Sequence, residues 1–175
     1  MVKVIGLLRG VNVGSSRRLR MADLRAAVES LGHTDVETYL QSGNVVFVPA
    51  AGTGKELGPS ISDALEARVG LRANVLTRTG AEMASIVDAN PYQRDDPTKV
   101  VVTFHAGRAG TPPLNVTTYA PEGLTTRARE VYLDLPFGQA RSPLLAALAK
   151  AQPDDGFATS RNWRTVLALR DLSAG

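Results

Sequence analysis

The segment Val2–Leu8 is apolar on both of its faces, so the strand it forms must be covered on both sides and belongs in the middle of a sheet. That apolar run stops abruptly at Arg9-Gly10-Val11-Asn12-Val13-Gly14. Arg9, Arg17, Arg18 and Arg20 follow one another closely, and a helical pattern starts at Met21. A glycine-containing, arginine-rich loop that enters a helix N-terminus can present backbone N–H groups and positive charge to an anion. The first strand therefore predicts both a fold centre and, at its end, a candidate site.

The rest of the first half fills in around that strand. Met21, Leu24, Val28 and Leu31 recur at helical spacing, with Gly32 as a left-handed stop. Asp35–Gln41 alternates, with Val36, Thr38 and Leu40 on one face and Glu37, Tyr39 and Gln41 on the other. Ser42-Gly43-Asn44 signals a tight hairpin into Val45–Val48, a second strand apolar on both faces. Gly52–Gly58 reads as loop, then Leu57, Ile61, Leu65 and Val69 predict a second helix, and Ala73–Thr77 a strand. The resulting β-α-β-β-α-β order is the ferredoxin-like pattern. In that topology the loop after the first strand and the hairpin after the second lie at the same end of the sheet. Arg9–Gly14 and Gln41–Asn44 are therefore expected to converge.

The second half reads as a smaller α/β unit. Thr79 and Glu82 have capping-box spacing ahead of Met83, Ile86 and Val87. Lys99–Phe104, Asn115–Tyr119 and Arg129–Leu133 read as strands. Ser142-Pro143 opens a helix through Lys150, Pro153–Gly156 reads as a turn, and Thr159 or Ser160 is placed to cap a last helix carrying Trp163, Val166 and Leu167. The expectation is an α+β protein, with a ferredoxin-like subdomain over 1–80 packed on an α+β C-terminal subdomain over 81–175.

Composition narrows the chemistry. The chain has no cysteine, which removes disulfides, thiol catalysis and thiolate metal sites. His33 and His105 are its two histidines, too few for a histidine-rich metal site. No cofactor signature appears, and the phosphate-binding Lys-Ser/Thr that follows the glycines of a P-loop is missing after Gly14. The apolar run at Val4–Leu8 is too short for a secretory signal, and no stretch is long enough to span a bilayer, so a cytoplasmic location is expected.

Leu7–Gly14, Met21-x-x-Leu24-Arg25, Thr38–Phe47, Asn90-Pro91-Tyr92 and Ser160–Val166 together resemble the bacterial domain-of-unknown-function 1697 family. The motifs run in the expected order along nearly the whole chain. Tyr92 stands where the family often has Phe, and Ser160 where it often has Thr. The resemblance implies an α+β fold with a ferredoxin-like part, and it carries no activity. The family's marked residues fall on Arg9, Gly10, Asn12, Gly14, Gln41, Ser42, Gly43, Asn44, Arg161, Asn162 and Trp163.

These residues lead to an expected function. The leading reading is binding of a small anionic, phosphorylated ligand. Arg9 supplies charge, Gly10–Gly14 a backbone cradle, and Gln41, Ser42 and Asn44 directional hydrogen bonds. Arg161 and Asn162 either cap the last helix or close the site. Against this stands a purely architectural loop, with glycines supplying positive φ and Arg9 paired to a carboxylate. A hydrolase or transferase of phosphate esters or acyl phosphates is the second reading. It rests on the analogy with acylphosphatases, ferredoxin-like enzymes that pair an Arg after the first strand with an Asn near the end of the second; Gln41 or Asn44 would be the analogue. An RNA- or protein-binding module is third. The net charge of +3 is small, and among the two central strands only Phe47 is an aromatic that could stack on a base. His33 is expected as a loop residue or a cation at a helix end.

Overall fold

A computed structural model describes residues 1–12, 18–52, 56–151 and 157–175. The fold is mixed α+β. Among the described residues it holds two four-stranded antiparallel sheets and five α-helices. The chain divides into two compact units, Met1–Ser85 with Ala168–Gly175, and Ile86–Leu167.

The first unit contains β1 (Val4–Leu8), α1 (Met21–Glu29), β2 (Thr34–Tyr39), β3 (Asn44–Val48), α2 (Leu57–Val69) and β4 (Val75–Thr79). Its strands lie in the order β2-β3-β1-β4. All five residues of β1 are buried, as are all five of β3. β1 is bonded on both edges, Ile5 opposite Val46 on one side and Arg78 on the other. One face of the sheet, with Val4, Leu8, Val45 and Phe47, packs on Leu24, Val28, Ile61 and Leu65 of the two helices. The helices end as their sequences require: Gly32 takes φ 81° after α1, and Gly70 takes φ 65° as the C-cap of α2. Gly58, read from sequence as the end of a loop, lies inside α2. A Cβ there would come 2.3 Å from the Val75 carbonyl oxygen, so the close passage of α2 over β4 needs glycine.

The second unit contains β5 (Val100–His105), β6 (Gly123–Arg127), β7 (Glu130–Asp134), α4 (Pro143–Ala151) and β8 (Ala158–Asn162), in strand order β6-β7-β5-β8. Its core gathers Val101, Val131, Leu133 and Leu135 with Leu144 and Leu148 of α4. Two helices carry the chain between units: α3 (Gly80–Asp88) and α5 (Trp163–Ser173). The expected capping box at α3 forms, with Thr79 Oγ1 accepting from the Glu82 N–H at 3.1 Å and Glu82 Oε2 accepting from the Thr79 N–H at 2.7 Å. Ser142 caps α4 through the Leu145 N–H at 2.9 Å, and buried Glu122 accepts from the Leu144 N–H at 2.9 Å. Arg94 grips the end of β7 by a bidentate pair to Asp134, at 2.7 and 2.6 Å.

The structure corrects several expectations. Asn115–Tyr119 is not a strand; Val116–Tyr119 is a 3₁₀ turn. The reason is local: the Thr117 hydroxyl donates to Asn115 Oδ1 at 2.7 Å, and Thr118 bonds the Asn115 carbonyl through both its hydroxyl and its N–H. Such side-chain bonds compete with a ladder. β6 and β8 were not anticipated, and the turn expected at Pro153–Gly156 lies outside the described residues. The last helix is capped by neither Thr159 nor Ser160, both of which lie in β8. Leu40, expected within the second strand on the face of Val36 and Thr38, lies beyond its end and is 53% exposed.

Of the two readings of His33, the loop residue holds, since it lies between α1 and β2, and the helix-end cation does not. His33 is buried, it stacks on Phe47 with ring centroids 4.7 Å apart, and its Nδ1 accepts the Ala50 N–H at 3.0 Å. That bond assigns the proton to Nε2, and burial holds the imidazole below its ordinary pKa. The folded chain therefore keeps His33 neutral while the unfolded chain protonates it near pH ~6.5. The stabilisation is fully present above that value and is lost as pH falls from it toward the lowered folded value. Urea unfolding at pH ~7.5 and ~5 should show a larger loss of stability for the wild type than for His33→Gln. Equal losses in the two proteins would contradict the buried neutral imidazole.

Candidate functional site

The loop after β1 and the turn between β2 and β3 meet at one end of the first sheet. The β1–β3 register pairs Leu7 with Asn44, and the Leu8 N–H continues it to the Gly43 carbonyl at 2.8 Å. The ladder ends there, with Gly43 at φ 75°. The Arg9 N–H bonds the Asn74 carbonyl at 3.0 Å, so the backbone leaves the sheet only after Arg9.

Asn12 ties the loop to the turn. Its amide nitrogen donates to the Gln41 carbonyl at 2.7 Å and to the Leu19 carbonyl at 2.9 Å, while its Oδ1 accepts the Leu19 N–H at 2.8 Å. Asn12 itself sits at φ 58° and Gly10 at φ 67°, the left-handed region that asparagine and glycine tolerate. The turn is held from inside by Asn44, which is fully buried and donates its amide to the Tyr39 carbonyl at 2.8 Å and to Ser42 Oγ at 2.9 Å. Gly43 is required by close approach as well as by its φ of 75°: a Cβ there would lie 2.5 Å from Val11 Cγ2 and 2.8 Å from Leu8 Cβ. Leu40 also has positive φ, 57°, a conformation that costs a branched side chain of order 1–3 kcal/mol.

These contacts divide the sequence-predicted residues by what they do. Arg9, Gly10, Gln41 and Ser42 are exposed on the surface where loop and turn meet. Asn12 and Asn44 direct their amides inward and act as positioning residues. Engagement of the Asn44 amide leaves the Asn of the acylphosphatase analogy without its counterpart at that position. Gly14 and Arg17 lie outside the described residues. Of the remaining arginines, Arg18 and Arg25 are exposed, whereas Arg20 is bonded to Asp23 at 2.7 and 3.0 Å and holds that carboxyl below its usual range. Phe47 is fully buried against His33, so its ring is not presented to a base.

Arg161 and Asn162 belong to the second unit. Asn162 Oδ1 accepts both the N–H and the hydroxyl of Thr165 at 3.0 Å, which makes it the cap of α5. Arg161 is only 7% exposed; its Nη1 donates to Thr159 Oγ1 and to the Ser160 carbonyl, both at 2.8 Å, and burial lowers its pKa to about 10. Trp163 is half-buried at the start of that helix. A second buried arginine was missed in the sequence: Arg78 of β4, the bulkiest of the fully buried side chains, which donates to the Thr77 carbonyl at 2.9 Å. The apolar run around it ends at Leu76, and a charge in that position reads as a strand end. Among the described residues no group of three or more His, Cys, Asp or Glu is placed to hold a metal ion, and no helix is long and apolar enough to cross a membrane.

Comparison with known proteins agrees with the motifs. A family model described as protein of unknown function (DUF1697) matches residues 1–132, and the chain belongs to that family. The solved structure of a conserved bacterial protein, SP0830, from Streptococcus pneumoniae has the same fold, with a TM-score of 0.74 over 98% of each chain at 19% identity. No curated protein matches the chain in sequence.

Two substitutions test the loop–turn bracket. Asn12→Ala removes three hydrogen bonds and places alanine in the left-handed region, and should cost about 2–3 kcal/mol in urea unfolding. Gly43→Ala should cost about 2 kcal/mol or more, through both its clash and its φ. Near-native stability in either variant would show that the bracket does not hold the two segments together.

Proposed function

We propose that this protein binds a small phosphorylated anion on the surface formed by Arg9, Gly10, Gln41 and Ser42. The observation that carries this reading is the Asn12–Gln41 bridge, 2.7 Å long, which joins the arginine loop to the polar turn. Arg9 on the loop and Gln41 and Ser42 on the turn it is tied to are exposed, and a guanidinium, a hydroxyl and an amide can together offer charge-assisted, directional donors to one acceptor group. Both segments stem from buried, doubly bonded strands, so the donors are positioned before a ligand arrives. The β1-α1-β2-β3-α2-β4 order and the β2-β3-β1-β4 strand order of the first unit support its reading as ferredoxin-like. Arg9 supplies the charge, Ser42 and Gln41 the direction, and Asn12 and Asn44 the placement of all three.

A thermal-shift comparison of wild type and Arg9→Ala against inorganic phosphate and small phosphate esters tests this. A ligand present at a hundredfold excess over its Kd stabilises the folded chain by about 2.7 kcal/mol, well within detection. The expected result is a rise in Tm for the wild type that is lost in Arg9→Ala. A rise of equal size in both proteins, or none in either, would overturn the assignment.

A further inference from the structure

Leu40 is out of place by two measures. The period-two pattern of the second strand puts it on the face of Val36, which is buried, yet Leu40 is 53% exposed. Its φ is 57°, where glycine or asparagine would be at ease and leucine is strained. The strain is imposed from both sides: Asn44 bonds the carbonyl of Tyr39, the residue before, and Asn12 bonds the carbonyl of Gln41, the residue after. The fold thus forces a large apolar side chain outward in a disfavoured conformation and gains little burial in return. A residue that weakens the fold without compensation within it points to a role outside it.

We propose that Leu40 is the specificity-determining apolar contact of the anion site, and that the ligand is a phosphate monoester carrying an apolar group. This rests on the anion-binding reading above. Leu40 directly precedes Gln41 and Ser42 in the same turn, so a phosphate held by Arg9 and Ser42 has its ester substituent within reach of the leucine. An aliphatic side chain there favours an aryl or alkyl group over bulk water, and the bracket keeps it from collapsing back onto the core. Inorganic phosphate, which has no such group, would use the arginine and the hydroxyl alone.

Calorimetric titration with inorganic phosphate and with phenyl phosphate, on wild type, Leu40→Asn and Arg9→Ala, tests the proposal. In the wild type phenyl phosphate should bind about fivefold more tightly than inorganic phosphate, and the ratio should fall to about one in Leu40→Asn. Arg9→Ala should weaken both ligands. Independently, Leu40→Gly should raise Tm by about 2–4 °C by relieving the backbone. Equal wild-type affinities for the two ligands, or an unchanged ratio in Leu40→Asn, would overturn the role of Leu40 while leaving the anion site standing. A lowered Tm in Leu40→Gly would show that the fold itself depends on the leucine and would also overturn it. Binding of neither ligand by the wild type would overturn the anion site and this inference with it.

Discussion

β1 sets the terms for the first unit. Five successive buried residues, bonded to β3 on one edge and β4 on the other, leave that strand no freedom of register. A slip of one residue would move Val4 and Leu8 off the helix-facing core and put the other face's Ile5 and Leu7 in their place. With β1 fixed, β3 is fixed beside it, and the two segments that leave them at one end must meet. Asn12 and Asn44 convert that meeting into a defined arrangement, each with its amide engaged by backbone carbonyls. The chemistry offered at the surface is therefore a consequence of sheet register, transmitted through two asparagines.

Residues whose local preference agrees with their burial were legible in the sequence. The apolar runs of β1 and β3, the Thr79–Glu82 capping box, Ser142 ahead of Pro143, and Gly32 after α1 all state their roles within a few residues. Convergence of loop and turn followed from topology alone. What escaped was carried by residues whose chemistry contradicts their position. Arg78 and Arg161 are buried in strands, and hydropathy hides a strand whose inward residue is an arginine. β6 is a short edge strand with two threonines and no fully buried residue, so alternation is faint. Asn115–Tyr119 has the branched side chains of a strand, but its hydroxyls bond backward to Asn115 and close a turn.

The candidate site shows the same division. Arg9, Gln41 and Ser42 were identified by type and are exposed where the loop and turn meet. Asn12 and Asn44 have the same polar chemistry, and only their hydrogen bonds reveal that they face inward. Leu40 is the reverse case: its pattern puts it on the face of buried Val36, and at φ 57° beyond the strand end it is exposed. Sequence reading assigns donors by residue type; the direction in which each one points comes from the backbone on either side.

The most direct test of the anion site is a ¹⁵N-labelled titration with inorganic phosphate, following each backbone amide by NMR. Phosphate bound at this site should give saturable shifts centred on Gly10, Gln41 and Ser42, with the amides of the second unit unmoved. Shifts centred elsewhere, or none up to millimolar phosphate, would contradict the anion site and leave the Arg9 loop as architecture.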